Sequence, residues 1–167
     1  IKNLEFKLTN SQQTVLNEIQ SDLFSNKQMI RLLQGDVGSG KTIVALISML
    51  RVIDSGYQVT LMAPTSILAY QHFENISKLI NKLPIEIDIL TGKDRGVGRL
   101  DKLEKIKNGA TKILIGTHAL IQEGVNFNKL GLSVIDEQHR FGVYQRMAFN
   151  YKGFRPSILV MSATPIP

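Results

Sequence analysis

The hydrophobic residues of this chain follow two different spacings, and their alternation predicts helices interleaved with short strands. Residues 9–24 carry apolar positions at helical spacing, with Thr9, Asn10 or Ser11 able to cap the helix; the apolar set is Val15, Leu16, Ile19 and Leu23. A short apolar run at 29–33 is typical of a buried strand. Residues 43–50 then return to a helical pattern that we expect to end near Gly56.

The same alternation continues to the end of the chain. Further strands are predicted at 58–62, 85–90, 112–116, 132–135 and 157–161. Helices are predicted from Pro64 to about residue 83, at 99–108 and at 144–150, with Pro84 and Gly109 as stops. Strands that alternate with helices favour an α/β fold, with a mostly parallel central sheet and helices on both faces.

Length and composition narrow the class of protein. A chain of 167 residues with 43% hydrophobic content can bury one good core, so we expect a single domain over 1–167. It has no cysteine, which excludes a disulfide framework or a thiolate metal site. No apolar run reaches the roughly 18 residues of a membrane span and no signal peptide is visible, so we expect a cytoplasmic protein without a membrane partner. Because it begins at Ile1 and ends within a motif at Pro167, we expect an excised domain.

The net charge of +6 is concentrated in two regions. Residues 93–112 carry a surplus of four positive charges, as do residues 138–167, where no acid occurs. A basic surface of this kind can attract nucleic acid through its phosphates. For Lys102–Lys107, where Asp101 and Glu104 are interleaved, an ordinary solvated helix face is an equal alternative.

The strongest chemical signal is a glycine-rich segment between the strand at 29–33 and the helix at 43–50. It fits G-x-x-x-x-G-K-[ST] at every fixed position, as Gly35-Asp36-Val37-Gly38-Ser39-Gly40-Lys41-Thr42. Glycines let backbone N–H groups form an anion-binding nest, Lys41 can reach β- and γ-phosphates, and the Thr42 hydroxyl can ligate Mg²⁺. The segment predicts a nucleoside triphosphate site, since a strand before and a helix after disfavour a chance glycine turn.

Two carboxylates end the predicted strand at 132–135. Asp136 and Glu137 would lie at the carboxyl edge of a parallel sheet, where such sheets bind their ligands. Asp136 can hold Mg²⁺, directly or through water, and Glu137 can activate the attacking water. A solvated strand end is the alternative, but the glycine-rich segment upstream favours the catalytic reading, with Lys41 as the third catalytic residue.

Other polar residues carry weaker signals. Gln12 has a donor and an acceptor that match adenine, although it could equally be an exposed residue of a first helical turn. His139 follows the acids and is expected to line the cleft, whereas His72 is as readily a partly exposed helix residue. The three histidines lack metal-ligand spacing, so no zinc site is expected.

Taken in order, these segments resemble the first RecA-like motor lobe of superfamily-2 helicases and translocases of the DExH kind. The resemblance covers essentially the whole chain. The segments that match the sequence motifs of these helicases are residues 8–12 (Q-type motif), 35–42 (motif I), 63–65 with 71–72 (motif Ia), 91–92 (Ib-like), 116–120 (Ic-like), 136–142 (motif II) and 162–167 (motif III). The transcription-repair coupling factor is a near relative whose motif II resembles Asp-Glu-Glu-Gln-Arg-Phe. Gln138 and His139 differ from it.

The resemblance implies an enzyme that uses ATP and Mg²⁺ to move on duplex DNA and remodel branched DNA or stalled forks. It also implies a wedge domain and a second RecA-like lobe elsewhere in the protein, the latter with an arginine finger, so this chain alone would turn ATP over slowly. Residues implied to line the DNA backbone are Pro64, Thr65, Thr91, Gly92, Thr117 and His118. Residues implied to couple nucleotide to DNA are Gln138, His139, Ser162 and Thr164. A small-molecule kinase shares motif I but gives no role to motifs II and III.

Overall fold

A computed structural model describes residues 7–36, 38–136 and 155–163. The helices are α1 (Asn10–Leu23), α2 (Lys41–Asp54), α3 (Ser66–Leu79) and α4 (Gly96–Lys107), and a 3₁₀ turn spans His118–Ile121. The strands are β1 (Ile30–Gln34), β2 (Gln58–Met62), β3 (Ile87–Leu90), β4 (Ile113–Gly116), β5 (Leu130–Asp136) and β6 (Ser157–Ser162).

The strands form one six-stranded sheet in the order β1-β6-β5-β2-β4-β3. Every pair of neighbours is parallel. The predicted α/β fold with a parallel sheet is therefore confirmed. A parallel arrangement brings the carboxyl end of each strand to one edge, so the loops after β1, β2, β3, β4 and β5 open on the same side of the molecule.

Each face of the sheet has its own hydrophobic core. Helices α1, α2 and α3 cover one face, where Leu16 and Leu46 pack with strand residues such as Val59 and Val134. Helix α4 and the 3₁₀ turn cover the other face, where Ile106 and Leu120 are both fully buried. Neighbouring strand residues Leu61 and Met62 belong to opposite cores, as the two-residue period of a strand requires.

A buried glutamine ties the amino end of β2 to two loops. Gln58 is 3% exposed. Its Nε2 donates to the carbonyl oxygens of Ile106 and Thr111, at 2.8 and 2.9 Å. Its Oε1 accepts from the N–H groups of Asn128 and Lys129, at 2.8 and 2.9 Å. One amide therefore satisfies four backbone groups that would otherwise lose hydrogen bonds on burial.

Several element boundaries differ from the sequence predictions. Helix α3 ends at Leu79 rather than near residue 83, because the chain turns with Leu83 N donating to Ile80 O at 2.9 Å. Helix α4 begins at Gly96, three residues before Arg99. The 3₁₀ turn was not predicted, since four residues are too few for a periodic signal. The predicted helix at 144–150 lies outside the described residues.

None of the helices that the structure describes combines the length and apolar character required to traverse a bilayer.

Candidate nucleotide-binding site

The glycine-rich segment leaves β1 and turns directly into α2. Gly35 N donates to the carbonyl oxygen of Ser162 on β6 at 3.2 Å, which anchors the start of the loop. Gly38 and Gly40 have φ angles of 84° and 85°, in the left-handed region that favours glycine. A Cβ on Gly40 would collide with the Gln12 side chain, and a Cβ on Gly35 with Ser39. Glycine therefore suits the backbone of the turn at Gly38 and Gly40, while the Gln12 and Ser39 side chains pack closely against Gly40 and Gly35.

Lys41, the first residue of α2, folds back over the loop. Its Nζ donates to the carbonyl oxygens of Gly35 at 2.5 Å and Asp36 at 3.2 Å. Backbone oxygens thus hold the ammonium group at the mouth of the loop. Thr42 follows as the second residue of α2 and is half-buried. This arrangement of a cation, a hydroxyl and a helix N-terminus suits a polyphosphate with a metal ion.

Gln12 contacts the loop from α1. The side chain of Thr9 accepts from Gln12 N at 3.2 Å, while Gln12 Oε1 accepts from Thr9 N at 2.9 Å, which completes a capping box. Gln12 Nε2 also donates to Ser39 O at 3.1 Å. The sequence predicts Thr9 as a possible cap and Gln12 as either an adenine ligand or an exposed first-turn residue. In the structure, Gln12 lies in the first turn of α1, half-buried, and the Thr-x-x-Gln spacing is the sequence signal for its capping box with Thr9.

Asp136 is the last residue of β5. It lies beside Met161 of β6, and β6 in turn pairs with β1 through Ser162 and Gln34. Since neighbouring strands are about 4.8 Å apart, the ends of β1 and β5 are separated by about 10 Å. The structure therefore brings Asp136 and the glycine-rich loop to the same edge of the sheet, on either side of β6.

His72 is the functional candidate that sequence reasoning left undecided. It lies on α3, and its Nε2 is 2.7 Å from Asp136 Oδ2. The side chains are 14% and 19% exposed. His72 is thus a half-buried helix residue, and it is also the partner of the candidate metal ligand.

The residues implied to line DNA follow β2, β3 and β4 at the same edge. Thr65 caps α3 by accepting from Leu68 N at 3.2 Å, and Pro64 precedes it half-buried. Thr117 caps the 3₁₀ turn, and His118 begins it on the surface. These loops are placed where a polyanion bound at the edge could meet them.

Thr91 differs from the others because it is completely buried. Its hydroxyl accepts from Lys93 N at 3.3 Å and its own N–H donates to the Asp94 carboxylate at 2.8 Å. The neighbouring Gly92 and Lys93 are exposed. Thr91 therefore stabilises the turn through these hydrogen bonds. The two residues after it are the ones that solvent reaches.

Two lysines of the basic helix α4 form ion pairs with acidic residues. Lys102 Nζ is 2.8 Å from Asp94 Oδ1 and donates to Ile89 O at 2.7 Å. Burial acts to raise the pKa of Asp94, but the hydrogen bonds from Lys102 and the Thr91 N–H and the charges of Lys102 and Arg99 outweigh it and lower that pKa. Lys105 pairs with Glu86 at 3.0 Å. The solvated-face alternative therefore describes Lys105, which is exposed, whereas Lys102 is half-buried and held by Asp94 and the Ile89 carbonyl oxygen.

Other expected site residues can be placed only in part. Ser162 is buried at the end of β6, and its carbonyl oxygen accepts from Gly35 N. Val37, Glu137, Gln138, His139 and Thr164 lie outside the described residues. Their roles remain predictions from sequence.

The parallel sheet, with a glycine-rich loop after β1 and an acid at the end of β5, has the RecA-like fold of helicase motor domains. The family model for the DEAD/DEAH box helicases matches residues 9–167, and the chain belongs to that family.

Within the family, the predicted resemblance is confirmed in a more specific form. The chain is 52% identical over 168 residues to the ATP-dependent DNA helicase RecG of Haemophilus influenzae, covering 98% of this chain and 24% of the relative. It is 52% identical over 167 residues to RecG of Bacillus subtilis, covering 100% of this chain and 24% of the relative. A solved structure of RecG bound to a three-way DNA junction superposes with a TM-score of 0.87 at 46% identity, covering 99% of this chain and 22% of the other. The chain thus spans about a quarter of the length of these relatives.

Proposed function

We propose that this chain is the ATP-binding motor lobe of a RecG-like helicase, which couples ATP hydrolysis to movement on duplex DNA and remodels branched DNA in recombination and repair. The observation that carries the proposal is the convergence at one sheet edge. The glycine-rich loop, Asp136 and the loops after β2, β3 and β4 all open there. One edge can therefore serve nucleotide chemistry and a DNA contact together.

For the nucleotide, the loop from Gly35 to Thr42 would hold the phosphates through its backbone N–H groups. Lys41 would exchange its carbonyl partners for phosphate oxygens, since a charged acceptor makes the stronger hydrogen bond. Thr42 and Asp136 supply oxygen ligands of the type that Mg²⁺ prefers. The bound ion neutralises charge that develops on the phosphates. Glu137 would orient and deprotonate the attacking water.

For DNA, we infer contacts to the backbone rather than to the bases. The hydroxyl and backbone groups at Pro64, Thr65, Gly92, Thr117 and His118 suit phosphates, which carry no sequence information. Thr91 is completely buried, so we infer that it acts indirectly, by holding the loop that presents Gly92 to DNA.

Coupling between the two sites is supported by β6. Ser162 O accepts from Gly35 N, so a displacement of the nucleotide loop would pull on the end of β6. We infer that Ser162 and Thr164, together with Gln138 and His139 after β5, report the state of the nucleotide to the DNA contacts.

The remaining parts of the mechanism require more than this lobe. We infer that a second RecA-like lobe with an arginine finger and a wedge domain act with it in a protein of the cytoplasm. The RecG relatives favour this function over that of a coupling-factor-like translocase.

The test compares ATP hydrolysis by the full-length protein with and without forked DNA. We expect stimulation by forked DNA, and we expect Glu137→Gln to abolish hydrolysis while it retains nucleotide and Mg²⁺ binding, because an amide cannot accept the proton. Asp136→Asn should instead weaken Mg²⁺-dependent binding. Wild-type hydrolysis by both variants, or no effect of DNA, contradicts the proposal. The 167-residue chain alone should hydrolyse ATP roughly 10³- to 10⁵-fold more slowly, without rescue by DNA.

A further inference from the structure

The contact between His72 and Asp136 is directional and largely shielded from water. His72 Nε2 lies 2.7 Å from Asp136 Oδ2, although 64 positions separate them in sequence. A carboxylate that binds a metal ion offers only acceptors, so in this role of Asp136 the hydrogen of the contact lies on His72 Nε2. Because the two side chains are only 14% and 19% exposed, water competes poorly for either partner.

Two independent features fix the position of the ring. On α3, Ala69 and Ile76 are completely buried, and His72 shares their face because it is three residues after one and four before the other. The helix itself starts at the Thr65 cap, directly after β2. Met62 of β2 pairs with Ile135, the residue before Asp136. Helix face and strand register therefore bring His72 to the carboxylate.

The bond occupies only one oxygen of the carboxylate. Among the described residues, Asp136 Oδ1 has no hydrogen-bond partner, which leaves this oxygen available to a ligand. We propose that His72 is a positioning residue, which holds Asp136 in one rotamer and leaves Oδ1 for Mg²⁺ or for a water bound to it. The proposal rests on the proposed function, since it assigns a partner to the metal ligand of that site.

The expected effect follows from the role of groups that orient metal ligands. Loss of such a partner typically costs about 10- to 100-fold in metal affinity or activity. In the full-length protein, His72→Leu should therefore raise the half-saturating Mg²⁺ concentration for binding of a fluorescent, non-hydrolysable ATP analogue by about 10- to 100-fold. Affinity for the same analogue in EDTA should not change, because His72 has no hydrogen bond to those loop residues that the structure describes. A merely structural role would lower both affinities.

Three further variants make the test specific. His72→Gln places an amide N–H donor about where Nε2 lies in histidine, so its half-saturating Mg²⁺ concentration should return close to that of the wild type. His72→Asn places the same amide one methylene short, so it should resemble His72→Leu while keeping a polar side chain if leucine prevents folding. Asn75→Leu makes the same change to leucine at an exposed position of α3 and should behave as wild type.

Electron paramagnetic resonance of Mn²⁺ added with the analogue gives a readout independent of turnover. We expect bound Mn²⁺ in wild type and His72→Gln, and mostly free Mn²⁺ in His72→Leu and His72→Asn. Wild-type metal dependence in His72→Leu or His72→Asn overturns the proposal, as does a His72→Gln protein no better than these. Absence of any metal dependence in the wild type contradicts the proposed function instead.

Discussion

Gln12 Nε2 donates a hydrogen bond to the carbonyl oxygen of Ser39, at 3.1 Å across 27 positions of the chain. The other end of the same amide accepts from Thr9 N at 2.9 Å. Helix α1 and the nucleotide loop are therefore joined by one side chain. Because the amide has a second N–H and a second lone pair, contact with an adenine base is compatible with both bonds.

Replacement of Gln12 by alanine should weaken nucleotide binding by about 10-fold, since each lost hydrogen bond is worth about 1 kcal/mol. Loss of the capping box should also lower the free energy of unfolding by about 1 kcal/mol. Calorimetry with an ATP analogue and denaturant unfolding measure the two effects. Gln13→Ala is the matched control, because the Gln13 side chain is exposed and, among the residues that the structure describes, bonds only to Asn17, at 3.0 Å. Equal nucleotide affinity in the two variants contradicts a role for Gln12.

Lys41→Ala should lower the affinity for an ATP analogue by about 100-fold, because a charge-assisted hydrogen bond is worth up to about 3 kcal/mol. The fold should persist, since the Lys41 side chain bonds only to loop carbonyl oxygens within the described part of the chain, and alanine favours the helix that begins there. Calorimetry gives the affinity, and thermal unfolding gives the stability. Lys107→Ala, at an exposed position near the end of α4, should leave the affinity unchanged. A folded Lys41→Ala protein with wild-type affinity would show that the loop has been misassigned.

The α-helices and strands that the structure describes, and the edge they share, were predictable from the sequence, whereas the 3₁₀ turn was not. Apolar runs such as 58–62 have the length and flanks of buried strands, and a parallel sheet then places Asp136 and the glycine-rich loop at its carboxyl edge. The capping box at Thr9 and Gln12 was also visible as a spacing.

The contacts that the sequence did not predict are made by side chains whose surroundings depend on how the elements and loops pack together. His72 is recognisable as a partner of Asp136 only once α3 is packed beside β5. Thr91 looks like an exposed loop residue, but its hydroxyl is turned inward by the bond from Lys93 N. Lys102 reads as part of a solvated basic face until the loop before α4 brings Asp94 to it. Local periodicity carries no information about such contacts.

Gln58→Leu should destabilise the protein by about 3 kcal/mol or more, because each buried group left without its partner costs about 1–3 kcal/mol. Four backbone groups lose their bonds in this variant. Thr60→Val is the control on the same strand. Thr60 is completely buried and its hydroxyl has no partner among the described residues, so valine should be neutral or stabilising. Denaturant unfolding compares them, and similar losses in both variants contradict the role of Gln58.

DNA binding by the full-length protein should be independent of sequence and steeply dependent on salt. Lys93→Ala should weaken binding and reduce the slope of log affinity against log salt by about 1, because Lys93 is exposed in a loop at the carboxyl edge. Lys105→Ala should preserve the slope, since Lys105 is paired with Glu86 on α4. Fluorescence anisotropy over a salt series measures both. A base-specific footprint, or equal slopes for the two variants, contradicts these assignments.

The Asp94 carboxylate should make the free energy of unfolding fall in acid. Its pKa is lowered from 3.8 in the folded protein, so the unfolded chain binds this proton more tightly. The resulting stabilisation is present above pH 3.8 and is lost as the pH falls through the lowered pKa. Asp94→Asn removes the negative charge that pairs with Lys102, and the variant should be less stable at neutral pH by about 1 kcal/mol, since the pair is partly exposed to solvent.

The difference in stability between wild type and Asp94→Asn should therefore shrink steadily as the pH is lowered below 3.8. Added salt at neutral pH should also reduce it, because ions screen a partly exposed pair. Thermal unfolding over a pH series measures the difference, with Asp101→Asn as the control, since Asp101 is exposed on the neighbouring helix and has no ion pair among the described residues. A difference that stays constant or grows in acid would mean that the Asp94 carboxylate is not held in its charged form by Lys102 and the Thr91 N–H.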